Sequence, residues 1–261
     1  MEVVGLQFDI AWENKDANFK TVRRLLTDVQ PEKNSIVVLP EMFATGFSMN
    51  VPAIAEKEGG VTENFLSETA RQFGVFLMGG VVTQGKGGRG RNEAVLYSPG
   101  GELIARYCKL QPFTPGGESQ NYVAGEEIVI VPWRGFSLAP FICYDLRFPE
   151  PFRAAVGRGA NLITVIASWP VARIQHWVTL LQARAIENQA YVAGVNRCGK
   201  DPKLSYSGRS MIVNPRGEII ADAGEGECVI SAEIDLDELA SYRTELPFLK
   251  DMRPDYSKLS S

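Results

Sequence analysis

Four apolar stretches of the chain stop on residues that sit poorly in a hydrophobic core. "SIVVLPEM" stops at Glu41, "FSLAPFIC" at Cys143, "ANLITVIASWP" at Trp169-Pro170 and "GELIARYCK" at Lys109. Each has an ordinary explanation by itself. A glutamate or lysine after a strand is usually solvated, and a buried cysteine usually behaves as a small hydrophobe. In layered α/β folds, however, ligands bind at the carboxyl ends of strands, so four such ends together point to one site. Cysteine, glutamate and lysine suffice for nucleophilic chemistry without histidine. A free thiol titrates at about 8.5, so roughly a few per cent is thiolate at neutral pH. A carboxylate acting as general base removes the thiol proton as sulfur attacks. A nearby ammonium favours the thiolate, by roughly 4 kcal/mol at about 4 Å and an effective dielectric near 20, before desolvation. The same ammonium stabilises an oxyanion, with the backbone N–H of Tyr144 as a second donor. Such a set suits attack on an amide or nitrile carbon. The carboxylic acid then protonates departing ammonia and afterwards activates water against the thioester.

Composition narrows the alternatives. His176 is the one histidine in 261 residues. Any Ser-His or Cys-His arrangement must run through it, and a zinc site built on two or three histidines is excluded within the chain. Hydrophobic residues make up 45% and charged residues 22%, the balance of a soluble globular protein. The net charge of −4, with no basic stripe, gives no support to nucleic-acid or anionic-membrane binding. The opening "MEVVGLQFDIAWENK" has no basic leader, and its apolar run is too short for a signal or membrane span. Cys108, Cys143, Cys198 and Cys228 lack CxxC spacing and read as reduced thiols of a cytosolic protein.

Bringing the four ends together requires alternating strands and helices. Leu6, Phe8 and Ile10 alternate, and Val22, Leu25, Leu26 and Val29 then recur at helical spacing. "SIVVLP" reads as a strand, residues 64–73 as an amphipathic helix capped by Thr62, and "VFLMGGVVT" as another strand. "GKGGRGRN" reads as a flexible hairpin loop, since its spacing matches no phosphate cradle and no helix pattern follows. "NEAVLYSPGGELIARYCK" is a hairpin around Pro99-Gly100-Gly101. "FSLAPFIC" is a strand and "PEPFRAAVGRG" a short helix. "ANLITVIAS" is apolar enough to be covered on both faces. "RIQHWVTLLQARAIEN" is a helix with Val178, Leu181 and Ala185 on one side; "AYVAGVN", "RSMIVNPRGEIIADA" and "CVISAEID" supply further strands. The frame P-x-G-E-[LI]-I-A occurs at Pro99 to Ala105 and again at Pro215 to Ala221. Either two hairpins obey one turn chemistry, or the chain consists of two similar halves; the coarse order of elements supports the second. No linker divides residues 1–261, which implies one domain, with two packed sheets and helices outside.

With these residues in view, the sequence resembles the nitrilase superfamily of carbon–nitrogen hydrolases. "VVLPEMFATGF" around Glu41, "YCKLQPFTPGGE" around Lys109 and "FICYDLRFPE" around Cys143 stand in family order. The likeness covers nearly the whole chain, including "ARAIENQAYV" and "NPRGEII". The resemblance implies a four-layer αββα sandwich and a catalytic triad of Glu41, Lys109 and Cys143. It also implies that Glu118, in "GGES", helps to place triad and substrate, and that the protein is a homodimer joined through the helical face after the nucleophile. "CYDLRFPE", "SWPVARIQHWVTLLQARAIENQAYV" and "ELPFLKDMRPDY" look most like ω-amidases, which hydrolyse the terminal amide of α-ketoglutaramate or α-ketosuccinamate. The reading is a cytosolic amidase that uses neither cofactor nor metal. Many relatives carry histidine two residues after the lysine; Gln111 stands there here, which leaves the triad intact and bears on the pocket.

Tyr144, Trp169, Phe113, Tyr122 and Arg147 are the candidate substrate contacts. Trp169 fits a pocket wall or a core. Phe113 and Tyr122 lie in the loop after Lys109. Arg147 either binds a substrate carboxylate or, the favoured reading, pairs with a buried acid such as Asp145 or Glu150. Strand alternation points Cys108 away from Lys109, and Cys198 and Cys228 read as packing residues. His176, in a helix, is not the required base. A papain-like hydrolase would instead need His176 beside Cys143, and a non-catalytic binding protein would tolerate Cys143→Ala. An N-carbamoyl amino acid amidohydrolase, an aliphatic amidase, a nitrilase or an acyltransferase would differ in what is released or accepted.

Overall fold

The computed structural model of the protein describes residues 1–253. Its first half runs β1 (Glu2–Gln7), α1 (Lys15–Val29), β2 (Ile36–Val38), α2 (Val51–Ile54), α3 (Val61–Phe73), β3 (Phe76–Gln84), β4 (Gly90–Tyr97) and β5 (Leu103–Cys108), and α4 (Glu118–Asn121) follows. The second runs β6 (Val131–Trp133), β7 (Phe136–Ile142), α5 (Pro149–Gly157), β8 (Leu162–Ala167), α6 (Ile174–Asn188), β9 (Tyr191–Asn196), β10 (Cys198–Lys200), β11 (Ser205–Ser207), β12 (Met211–Val213) and β13 (Ile219–Asp222). β14 (Cys228–Glu233) and α7 (Leu236–Glu245) close it.

Two six-stranded sheets result, ordered β14-β1-β2-β3-β4-β5 and β13-β12-β9-β8-β7-β6. In the first, β1, β2 and β3 are parallel and β4 and β5 add antiparallel. In the second, β7, β8 and β9 are parallel and β12 and β13 add antiparallel. Each sheet gains one antiparallel strand on its other side, β14 or β6. Both hairpins that carry the repeated frame contain a register shift, at Leu96/Tyr97 and at Ile212/Val213. Both turn on a glycine with positive φ, Gly101 at 79° and Gly217 at 85°, a conformation that side chains disfavour. The repeat therefore marks two halves of one topology.

Side-chain alternation along strands sorts the core into layers. Val3, Ile36, Val38 and Met78 face the second sheet, where Leu138, Leu162 and Thr164 point back at them, Thr164 Oγ1 donating to the Met78 sulfur at 3.3 Å. Their neighbours Val4, Leu6, Val37, Leu39 and Leu77 face the other way, onto Phe19, Val22 and Leu26 of α1 and Phe65 and Leu66 of α3. Phe152 of α5 and Trp177 and Leu181 of α6 cover the second sheet. Each such side chain stabilises by about 1.5–3 kcal/mol, and the outcome is the expected αββα sandwich.

Several local expectations change. The third helix begins at Val61, so Thr62 lies inside it. Its cap comes from elsewhere: Glu56 accepts the Thr62 N–H and the Thr62 hydroxyl, each at 2.8 Å, and so satisfies a free end of the helix. Phe8 and Ile10 are buried but lie beyond the end of β1. Val29 and Val178 are only partly buried. Of "GKGGRGRN", read as a loop, only residues 85–89 connect antiparallel β3 and β4; Gly90, Arg91 and Asn92 are already paired strand of β4. Of "ELPFLKDMRPDY", residues 254–256 lie outside the described residues. Among the described residues, no helix is long and apolar enough to cross a membrane.

Candidate active site

Glu41 lies just past β2, on a segment that crosses β3 at Gly80. A Cβ there would lie 2.4 Å from the Met42 nitrogen and 2.7 Å from the Glu41 Cα, so only glycine lets this segment close down. Lys109 follows β5 directly. Cys143 follows β7 and takes a left-handed φ of 46°, unusual for a residue with a Cβ. It opens a 3-10 turn, Cys143–Arg147. Asp145 holds that turn: Oδ2 accepts the Ile142 N–H at 2.9 Å and the Tyr107 hydroxyl at 2.7 Å, and Oδ1 accepts the Gln111 N–H at 2.8 Å. The cysteine turn is thereby tied to the lysine segment on both sides of Lys109. Burial pushes the Asp145 carboxyl up to about 6, against the pull of these donors. Gln111 serves here through its backbone and does not line the cleft.

Glu41, Lys109 and Glu118 are buried together. Lys109 Nζ donates to Glu41 Oε1 at 2.8 Å and to Glu118 Oε2 at 2.8 Å and Oε1 at 3.1 Å. Asn92 Nδ2 bridges the carboxylates, donating to Glu41 Oε1 at 2.7 Å and Glu118 Oε1 at 2.8 Å. The Phe113 N–H reaches Glu118 Oε2 at 2.5 Å, and the Ser168 N–H reaches Glu41 Oε2 at 2.8 Å. Burial works against the Lys109 ammonium, but Glu118 and Glu41 outweigh it and hold its pKa well above the usual value. Two carboxylates and one ammonium leave the cluster at −1. Lys109 favours the Cys143 thiolate, as expected, but does not prevail. Burial and then Glu41 push the thiol well up; Lys109 and the Ser168 N–H oppose them and lose. The arrangement calls for a base at the moment of attack. Glu41 Oε1 already accepts two donors, whereas Oε2 accepts one and keeps a lone pair for a proton.

Cys143 opens into a cleft of about 410 Å³, mouth included. Tyr144, Phe113, Trp169 and Arg147 line it, as do Phe47 and Tyr206. Tyr122 does not. Its ring is buried against Met42, Val51, Ile54 and Val82, and its hydroxyl donates to the Ser48 carbonyl. The chain after α4 pairs with the start of β4, which turns Tyr122 inward. Arg147 also departs from the favoured reading. Asp145 is engaged elsewhere, Glu150 is exposed, and Arg147 has no carboxylate partner among the described residues. Its guanidinium stands 4.8 Å over the Trp169 ring and donates to His176 Nδ1 at 3.0 Å. Cys108 faces a separate cleft beside Arg91 and Arg106, opposite Lys109 as expected. Burial raises Cys108 and Cys198 to about 11 each, and neither lines the cleft into which Cys143 opens.

The sequence reading overlooked several residues. Asn92 bridges the carboxylates. Asn196 clamps the main chain of Trp169, accepting its N–H at 2.7 Å and donating to its carbonyl at 2.9 Å. That clamp fixes the neighbouring Ser168 N–H against Glu41. The signal existed: "AYVAGVN" is one more apolar strand that ends on a polar residue. Phe47, 5.2 Å from the Lys109 ammonium, and Arg173 had no comparable signal. Among the described residues no cluster of three or more His, Cys, Asp or Glu is arranged to hold a metal ion; Lys109 occupies the place between the carboxylates.

Comparison with known proteins bears on both halves. The family pattern described as "Carbon-nitrogen hydrolase" matches residues 3–244. The 2-oxoglutaramate amidase of Bacillus subtilis (strain 168) is 35% identical over 251 residues, 96% of each chain. Omega-amidase YafV of Escherichia coli (strain K12) is 38% identical over 253 residues, again 96% of each. The crystal structure of a CN-hydrolase superfamily protein from Xanthomonas campestris, with an arsenic adduct in its active site, superposes with a TM-score of 0.91 at 34% identity over 98% of each chain. This likeness runs through both sheets, and therefore through both sources of the clustered side chains, and makes the chain a member of the carbon–nitrogen hydrolase family.

Proposed function

We propose that the protein is an ω-amidase that hydrolyses the terminal amide of a small α-keto acid amide, α-ketoglutaramate or α-ketosuccinamate, with release of ammonia. The reading rests on one observation above all: a buried Glu41–Lys109–Glu118 cluster adjoins Cys143, which opens into a narrow cleft. Cys143 is the nucleophile. Its proton passes to Glu41 Oε2 as sulfur bonds to the amide carbon. Lys109 and the Tyr144 N–H stabilise the resulting oxyanion. The tetrahedral adduct collapses with cleavage of the C–N bond, and Glu41 returns the proton to the departing ammonia. Water then attacks the thioester carbon, Glu41 takes its proton, and the acid leaves as the thiol re-forms. Glu118 holds Lys109 in place. Trp169, Phe113 and Tyr144 shape the pocket, and Arg147 supplies positive charge that attracts the substrate carboxylate, a role supported by its lack of an acidic partner among the described residues. The similarity to the Bacillus subtilis 2-oxoglutaramate amidase supports that substrate class.

Residues 1–261 act as one catalytic domain in this reading, since the proposed site draws on both sheets. The protein works in the cytoplasm as a homodimer. The resemblance to dimeric nitrilase relatives and the 51% exposure of Ile186 on α6 support the dimer, which sedimentation tests. Function is tested by ammonia release from α-ketoglutaramate, α-ketosuccinamate, glutamine, an N-carbamoyl amino acid and a simple nitrile, with Cys143→Ala as blank. Rapid Cys143-dependent turnover of the keto-amides is the expected result. Preference for the nitrile or the carbamoyl compound would replace the substrate assignment.

A further inference from the structure

The catalytic cleft continues outward. A second cavity, about 970 Å³ with its mouth, shares Phe47, Phe113, Arg173 and Leu204 with it. Arg147 lines the inner space only, whereas Arg173 lines both and so stands at their boundary. The root of Arg173 is fixed. Its N–H donates to the Pro170 carbonyl at 3.0 Å, and its carbonyl accepts the Trp169 indole N–H at 2.8 Å. Its guanidinium stands 5.5 Å from the centre of the Phe113 ring, and the Phe113 N–H is itself anchored on Glu118. Arg173 has no carboxylate partner among the described residues. Asp201, the acid of the outer cavity, is already engaged: Oδ1 accepts the Lys203 and Leu204 N–H groups at 2.7 Å each, and Oδ2 accepts the Tyr206 hydroxyl at 2.6 Å. A cationic rim thus faces a catalytic floor of charge −1. An anionic substrate bound with its carboxylate toward the rim is attracted there and kept off the floor.

Two guanidiniums at two positions along one cleft can read length. We propose that Arg173 is a specificity-determining residue: Arg147 takes the carboxylate of a four-carbon α-keto acid monoamide, and Arg173 takes that of the five-carbon homologue. The proposal rests on the amidase reading. It is tested by kcat/KM for α-ketoglutaramate and α-ketosuccinamate in wild type, Arg173→Gln, Arg173→Lys and Arg147→Gln. Loss of a charge-assisted hydrogen bond to one substrate lowers discrimination at least about tenfold. Arg173→Gln is expected to lower the five-carbon to four-carbon ratio by that factor, chiefly through KM. Arg173→Lys restores part of it, and Arg147→Gln moves the ratio the other way. The lysine variant keeps the comparison readable if the glutamine variant does not fold. A ratio unchanged in both Arg173 variants, with wild type active, overturns the length reading and leaves the amidase intact. Wild type inactive on both keto-amides removes the amidase reading and this one with it.

Discussion

The two halves of the molecule share one topology and divide the chemistry between them. The first contributes Glu41, Asn92, Lys109 and, from the loop after β5, Glu118: buried groups that hydrogen-bond one another. The second contributes Cys143, Arg147 and Arg173, which face the cleft. Equivalent positions have diverged. The residues beyond β2 lead to Glu41, whereas those beyond β8 are Ser168 and Trp169; β5 leads into Lys109, whereas β13 leads into Ala223. The physical reason lies in the cost of buried polarity. A buried charge must be fully partnered, so the charged machinery is assembled once and completely. The other half is free to present groups that await a substrate.

That division breaks most severely at the chemistry itself. Cys143→Ala is expected to abolish ammonia release, and Glu41→Gln to lower kcat by about 10³–10⁴, in the range of general acid–base catalysis. Retained turnover in Glu41→Gln would sink the assigned base. Lys109→Met leaves two buried carboxylates without their cation. It should cost about 3–5 kcal/mol in urea unfolding, with part recovered on adding Glu118→Gln; a loss below about 1 kcal/mol would mean that the cluster is not tightly coupled. Asp145 sharpens the comparison through pH. Its folded pKa, about 6, lies above the ordinary 3.8, so its contribution is fully present below about 4 and is lost as pH rises through 6. Wild type should lose up to about 3 kcal/mol relative to Asp145→Asn across that window, and a constant difference would contradict the shift. The smallest effect is expected at Asn196→Ala, about 1–3 kcal/mol with a fall in kcat. A change in KM alone would mean that the Trp169 clamp does not reach Glu41.

The sequence carried much of this division. Glu41, Lys109 and Cys143 were legible because a polar residue at the end of an apolar strand is locally anomalous. The two hairpins were legible because Gly101 and Gly217 impose the same turn. Asn92 was not, since the worth of a polar group within a strand depends on what neighbouring strands place beside it; Asn196 ended an apolar strand, and that signal went unused. Arg147 was misread because which acid it meets depends on how the turn aims Asp145, and that acid points back to Tyr107. Tyr122 was misread because its loop folds inward onto β4. The three-residue strands β6, β10 and β11 are too short to show a period.

The measurement that reaches the centre of this reading is a rapid-quench reaction of the enzyme with α-ketoglutaramate, followed by intact mass and peptide mapping. A transient acyl adduct equal to substrate minus ammonia, confined to the Cys143 peptide and absent in Cys143→Ala, is the predicted result. Turnover without such an adduct in a Cys143→Ala protein, or an adduct on Cys108, Cys198 or Cys228, would contradict it.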